Sequence, residues 1–196
     1  MIEIQRASEY SKNTNDIISE IFVDGFYQWL HYFSKDKKKL VRAFSHMFNL
    51  DVFYVALSDG KICGIAACND GKIKSVHLEK KALKKHLGFV GGTIANIMLK
   101  REFEEKPYPF SIEPEMGCIE FVAVSPEYRG KGVASAIIRH IFQTTPYSNY
   151  VLEVADTNLS AVNLYTKLGF KEFKRVEEKH SKASGINYLV YMKYTK

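Results

Sequence analysis

The sequence predicts a mixed α/β (α+β) domain, and three observations carry that reading. Apolar, largely β-branched residues run from Ile119 to Val124, stop at Ser125-Pro126, turn through Arg129-Gly130-Lys131-Gly132, and resume at helical spacing with Val133, Ile137, Ile138 and Ile141. An Asp59-Gly60 turn joins two apolar runs as a hairpin. Amphipathic stretches of helical period precede and follow these segments, and two β-rich runs close the chain. With 196 residues, 46% of them hydrophobic, the chain buries one substantial core, so a single domain over residues 1–196 is expected.

Taken in order, Met1 to Arg6 alternates apolar and polar residues, the pattern of a short half-buried strand. From Asp16 the positions Ile17, Ile18, Ile21, Phe22, Phe26, Trp29, Leu30 and Phe33 define one broad helical face, with Asn15 or Asp16 as its cap. That face holds more aromatics than core packing requires, so part of it either packs or lines a pocket for a second ligand. After a charged break at Ser34 to Lys39, Leu40, Val41, Phe44, Met47 and Phe48 mark a second helix. The hairpin pairs Val52–Leu57 with Ile62–Cys68, and Lys74–Leu78 extends it as a third strand. Residues 79–106 read as two helices broken near Gly91, followed by a proline-containing loop from Glu104 to Met116. Beyond the glycine turn and its helix, Tyr150–Val154 is a buried strand, and Asp156-Thr157 caps a helix with Ala161, Leu164, Tyr165 and Leu168 on its face. Gly169 suits that helix's C′ position and folds Phe170 back towards Tyr165. Residues 173–176 and 188–192 form a closing pair of strands.

A net charge of +6, from 28 basic and 22 acidic side chains, suits an anionic ligand. It is spread too thinly to imply nucleic acid; Lys37-Lys38-Lys39 and Lys84-Lys85 read as solvated faces. Cys63, Cys68 and Cys118 contain no C-x-x-C pair, so no disulfide framework or zinc site is indicated, no metal is expected, and all three read as reduced core residues. No apolar run approaches about 18 residues, and the N-terminus lacks the basic-then-apolar order of a secretory signal. A cytoplasmic protein with neither membrane nor nucleic acid as partner is expected.

Two glycines at the mouth of a helix let backbone approach a ligand, and the unpaired amides of the first turn offer donors to a phosphate. An ordinary tight turn would also use them. One helix and one strand later comes Asn158-x-x-Ala161-x-x-Leu164-Tyr165-x-x-Leu168-Gly169-Phe170. In that order and spacing, Arg129-Gly130-Lys131-Gly132-Val133-Ala134 and this second stretch resemble the two signature motifs of the GNAT superfamily of N-acetyltransferases, over about residues 117–173. Ala134 closes the first signature where glycine is the other permitted residue.

The resemblance implies a twisted central sheet, mixed but mostly antiparallel, flanked by helices and splayed between the strands at 117–124 and 150–154. It implies acetyl-CoA as acyl-donor cosubstrate in that gap. The amides of Arg129, Gly130, Lys131, Gly132, Val133 and Ala134 would hold its pyrophosphate, with the Arg129 and Lys131 side chains adding charge. The strand edge at Val122, Ala123 and Val124 would pair with the pantetheine arm, and a bulge would aim the Val122 amide at the thioester carbonyl. Asn158 would contact the pantetheine region or simply cap its helix. Tyr165 would be the acid for the departing thiolate, or else a core tyrosine packed on Phe170. The base would be Glu120, expected on the same face as Val122, or Glu153 across the splay, or a water chain. The implied reaction moves an acetyl group directly to a primary amine of a small molecule or peptide in a ternary complex, since Cys118 precedes the bulge and is not placed as an acyl carrier. A non-catalytic acyl-CoA-binding or regulatory module on the same scaffold is the alternative, and a monomer or homodimer is expected.

Overall fold

The alternation at the N-terminus gives strand β1 at Ile2–Arg6. The computed structural model describes residues 2–10, 13–179 and 181–196, the side chains of Lys182 and Ala183 excepted; Met1, where the alternation begins, lies outside the described residues. Helices α1 (Thr14–Leu30) and α2 (Lys37–Phe44) follow. Strands β2 (Phe53–Ser58) and β3 (Lys61–Asn69) form the hairpin, whose turn holds Asp59 at φ +51° and Gly60 at φ +72°. Two successive left-handed residues match the right-handed twist of the flanking strands. Helices α3 (Lys80–Leu87) and α4 (Phe89–Leu99) lead into a π-helical turn at Lys100–Glu104. Then come β4 (Met116–Val124), α5 (Val133–Thr144), β5 (Asn149–Ala155), α6 (Leu159–Lys167), β6 (Lys171–Glu177), the short α7 (Ser181–Ser184) and β7 (Tyr188–Thr195).

The seven strands form one sheet in the order β1-β2-β3-β4-β5-β7-β6, antiparallel throughout except for β4 and β5. Alternating side chains divide the core. Phe53 and Val55 pack with Phe22, Leu40 and Leu83 under α1–α4, whereas Tyr54 and Ala56 pack with Ile137, Ile141 and Phe170 under α5 and α6. Cys63, Cys68 and Cys118 are free and buried, as their spacing predicts. Among the described residues no helix is long and apolar enough to cross a membrane.

Four local expectations are corrected. Lys74–Leu78 is not a strand; only an isolated antiparallel bridge joins Val76 to Phe48. The break between the paired helices falls at Gly88, which adopts φ +82°, while Gly91 and Gly92 lie inside α4. Gly92 serves packing instead: a Cβ there would stand 2.5 Å from the Lys84 backbone of α3. The residue before α1 is Asn13, which makes no side-chain cap, and the cap of α6 is Asn158 rather than Asp156-Thr157. Asp156 instead accepts a hydrogen bond from the Asn187 amide at 3.2 Å.

Candidate active site

β4 is where the sheet opens. It pairs with β5 in parallel from Met116–Asn149 to Ile119–Leu152 and no further, so its edge beyond Ile119 is released on that side. On the other side Ala67 faces Glu120 and Ile65 faces Ala123, so that Ala66 alone opposes Phe121 and Val122. That two-against-one count is a β-bulge. Phe121 carries it with φ +53°, one of three non-glycine residues at positive φ among those described. Bulky residues avoid that region, and backbone strain of this kind collects at functional sites.

The extra residue inverts the alternation of the strand. Ile119 and Val122, three apart, both pack on the α5/α6 side, while Phe121 and Ala123 pack on the α1–α4 side. Glu120 lies opposite Ala67, a residue of the α1–α4 core, and cross-strand partners share a face. Glu120 and Val122 therefore occupy opposite faces, which corrects the expectation that they share one. The expectation assumed regular period-two alternation, and the bulge after Glu120 breaks it.

A cleft of about 1310 Å³ opens at the bulge. On one side it is lined by Phe26, Trp29, Phe103, Glu120 and Phe121; on the other by Val122, Leu152, Asn158, Ala161 and Tyr165. The structure thus brings together Glu120, Val122, Glu153, Asn158 and Tyr165. Ala123, Val124 and the glycine turn lie outside this lining, beyond the bulge along the chain.

Glu120 is locked by three donors. Tyr108 Oη donates to Oε1 at 2.7 Å, and Asn69 Nδ2 and Ser75 Oγ donate to Oε2 at 3.0 and 2.7 Å. A carboxylate offers about four acceptor positions, so one is left. Burial and the adjacent Glu120 carboxylate push the Tyr108 hydroxyl far above its ordinary pKa, keeping it a donor. Glu153 accepts from Lys106 Nζ at 2.6 Å and from Tyr191 Oη at 2.5 Å, and burial followed by the Glu153 charge raises the Tyr191 pKa likewise. Asn69, Ser75, Tyr108, Lys106 and Tyr191 carried no signal in the sequence, because each reaches its carboxylate from a distant or irregular segment. Asn69-Asp70-Gly71 reads as a turn, and Asn69 does accept from the Gly71 amide at 2.6 Å; its amide nitrogen reaches Glu120 at the same time.

Tyr165 differs from these. It is 6% exposed and packs edge-on against Phe170, with ring centroids 5.9 Å apart, as Gly169 at φ +96° allows. Among the described residues none hydrogen-bonds its hydroxyl. Desolvation alone pushes its pKa well above the ordinary 10.0, so the group stays protonated across the neutral range. Asn158 is a cap: its side-chain oxygen accepts from the Ala161 amide at 3.2 Å.

Past β4, Ser125 and a 3-10 turn at Pro126–Tyr128 deliver the chain to Gly130 at φ +73° and Gly132 at φ +79°. A Cβ at either glycine would meet nothing within 4 Å, so conformation requires them and the space above stays open to a ligand. The first bond of α5 runs from the Ala136 amide to the Gly132 carbonyl, leaving the amides of Val133, Ala134 and Ser135 as orphan donors. Open space, orphan amides and the positive end of a helix suit a pyrophosphate or similar anion. Arg129 turns its Nε to the Val124 carbonyl at 3.1 Å, and Lys131 stands over the Tyr128 ring at 5.3 Å.

The chain is similar to known proteins in sequence and in fold. The family described as "Acetyltransferase (GNAT) family" matches residues 15–170. "Probable N-acetyltransferase family 8 member 5" of Mus musculus is 30% identical over 110 residues, covering 53% of this chain and 41% of that protein. Thialysine N-epsilon-acetyltransferase of Sus scrofa is 38% identical over 66 residues, covering 32% of this chain and 39% of that protein. The chain thus spans less than half the length of either relative. An N-acetyltransferase structure from Staphylococcus aureus Mu50 shares the fold at 16% identity, with a TM-score of 0.59 over 99% of this chain and 100% of that one.

Proposed function

This chain belongs to the acetyltransferase (GNAT) family, and from that premise we propose that it transfers an acetyl group from acetyl-CoA directly to a primary amine. The observation that carries the reading is the bulge at Phe121–Val122, which lies at the opening of the sheet between a protonated tyrosine, its hydroxyl without a hydrogen-bond partner among the described residues, on one face and two donor-held glutamates on the other. Both relatives are named as N-acetyltransferases, which supports a nitrogen acceptor.

Gly130, Lys131, Gly132, Val133 and Ala134 would hold the pyrophosphate, and the released edge of β4 at Ala123 and Val124 would take the pantetheine arm. When bound, acetyl-CoA supplies an activated acetyl thioester. The Val122 amide donates to the charge developing on the carbonyl oxygen; a fixed donor needs no reorganisation, which makes such terms large. Tyr165 holds the proton that the departing sulfur takes as the carbon–sulfur bond breaks and the carbon–nitrogen bond forms. The proton released by the amine leaves through Glu120 or Glu153, each of which keeps acceptor capacity on the face opposite Tyr165, or through water. Direct transfer in a ternary complex fits the buried, inert thiols: burial pushes Cys118 up to about 12, far from a reactive thiolate.

Thermal protection by acetyl-CoA, followed by thiol release against polyamines, aminoglycosides, amino acids and peptides, tests the reading. Protection with amine-dependent thiol release is expected. Protection without release on any amine would favour a binding module instead.

A further inference from the structure

The acceptor side of the cleft has a chemistry of its own. Phe26, Trp29, Phe103 and Phe121 form a connected wall, with ring centroids 5.8 Å apart for Phe26–Trp29, 6.1 Å for Phe26–Phe121 and 5.6 Å for Phe103–Phe121. Beneath them Phe22 is fully buried, 4.9 Å from Phe26 and 5.9 Å from Phe121, so the base of the wall is packed while its upper rings stay half-buried along the cleft. The wall is continuous with the bulge, because Phe121 is the bulge residue itself. Further out, Tyr32 at 70% exposure and Ile73 at 52% line the rim with more apolar surface.

Three carboxylates of the same cleft, those of Glu104, Glu120 and Glu153, are already engaged. Glu120 accepts three hydrogen bonds, Glu153 is paired with Lys106, and Glu104 is held by the Leu78 amide at 2.9 Å and by His77 at 3.2 Å. Lys72, Lys74 and Lys106 also line the cleft. Glu102, Glu105 and Glu178 line it as well, Glu105 paired with Lys100 at 3.4 Å. A second ammonium beside Glu104, Glu120 or Glu153 would meet a carboxylate that already has its partners, whereas an apolar body would meet rings with spare contact surface.

We propose that the acceptor is a monoamine with an aromatic or similarly bulky apolar body, seated against Phe26, Trp29 and Phe103 with its nitrogen at Phe121–Val122. The proposal rests on the acetyl-transfer reading and adds the acceptor's class to it. Gly25 is the positioning residue. A Cβ there would stand 2.8 Å from the Ala123 Cβ, so its absence lets α1 lie directly on β4 just past the bulge and brings Phe26 and Trp29 to the cleft.

Trp29 is the chain's one tryptophan, so its emission reports this wall without a label. The purified protein is titrated with phenethylamine and, separately, with spermidine, and thiol release from acetyl-CoA is measured with each. A saturable emission change is expected for phenethylamine at a midpoint about tenfold or more below that of spermidine, with kcat/KM favouring phenethylamine by a similar factor. Trp29→Ala is expected to lower kcat/KM for phenethylamine about tenfold while acetyl-CoA protection is unchanged. Equal or better binding or turnover of spermidine, or no emission change with either amine, overturns the proposal. Emission that ranks the amines as expected without thiol release from either would sink the transfer reaction and leave the pocket's preference standing.

Discussion

The two sides of the cleft are built in different ways. The α5/α6 side is mostly backbone and short-range: two left-handed glycines, the orphan amides of one helix, and a tyrosine placed by the Gly169 turn five residues after Leu164. The α1–α4 side is mostly side chains and long-range: rings from residues 22–29, 103 and 121, and carboxylates held from residues 69, 75, 106, 108 and 191. Backbone donors recognise an invariant group such as a pyrophosphate whatever the neighbouring sequence, whereas side chains can be exchanged to fit a particular acceptor. The bulge inverts the strand's alternation and so joins the two halves, presenting Glu120 and Phe121 to one and Val122 to the other.

Mutations separate the halves, starting with the largest effect. Gly132→Asp should leave the fold intact, since aspartate is a favoured helix cap and tolerates the left-handed region, yet it sets a carboxylate where the pyrophosphate would lie. Acetyl-CoA protection in a thermal shift should vanish and turnover should fall by about 1,000-fold; retained protection would mean that the anion binds elsewhere. Tyr165→Phe should lower kcat about 100-fold with acetyl-CoA affinity unchanged. Because the lost hydroxyl has no partner among the described residues, stability should move by less than about 0.5 kcal/mol. The direction of its pKa shift also predicts that Tyr165 imposes no alkaline loss of kcat below pH 10.0, since the proton is retained above that value. A loss below pH 10.0 that disappears in Tyr165→Phe would contradict the upward shift, whereas an unchanged kcat in Tyr165→Phe would contradict its role as the acid.

The acceptor side should respond through stability and KM. Glu120→Ala strands the Asn69, Ser75 and Tyr108 donors, so denaturant unfolding should show a loss of about 2 kcal/mol in addition to any loss of rate. An unchanged midpoint would show that those donors find water instead. Gly25→Ala should cost about 1 kcal/mol, because its Cβ would stand 2.8 Å from the Ala123 Cβ and the backbone of α1 or β4 must shift, a strain that the alanine's helix preference offsets only in part. Its mark should be an acceptor KM raised about fivefold, with acetyl-CoA protection unaltered. A raised KM for acetyl-CoA instead would place α1 on the donor side.

Legibility in the sequence divides along the same line. Gly130, Gly132 and Gly169 announce themselves because a left-handed turn must be specified by the residue that adopts it, and Tyr165 follows by helical spacing. The mixed, mostly antiparallel sheet and its splay between residues 117–124 and 150–154 come through the resemblance that those local motifs carry, whereas the order of the seven strands and the parallel pairing of β4 with β5 are seen only in the structure. The bulge left no local mark: Phe121-Val122-Ala123-Val124 is apolar at every position, so the inverted alternation, and with it the face of Glu120, could not be read. Gly25 reads as an ordinary weak point in a helix until Ala123 is seen against it, and the donors on Glu120 and Glu153 come from segments whose meeting is decided by tertiary packing. The aromatic excess on α1 was visible as a face, but which rings belong to the core and which to the cleft depends on Phe103 and Phe121.

Initial-rate measurement of thiol release, with acetyl-CoA and phenethylamine both varied, tests most directly the claim that the two halves meet at Phe121–Val122 to pass an acetyl group between two bound substrates. Intersecting double-reciprocal lines are predicted, as a ternary complex requires. Parallel lines, or thiol release that does not depend on the amine, would contradict it.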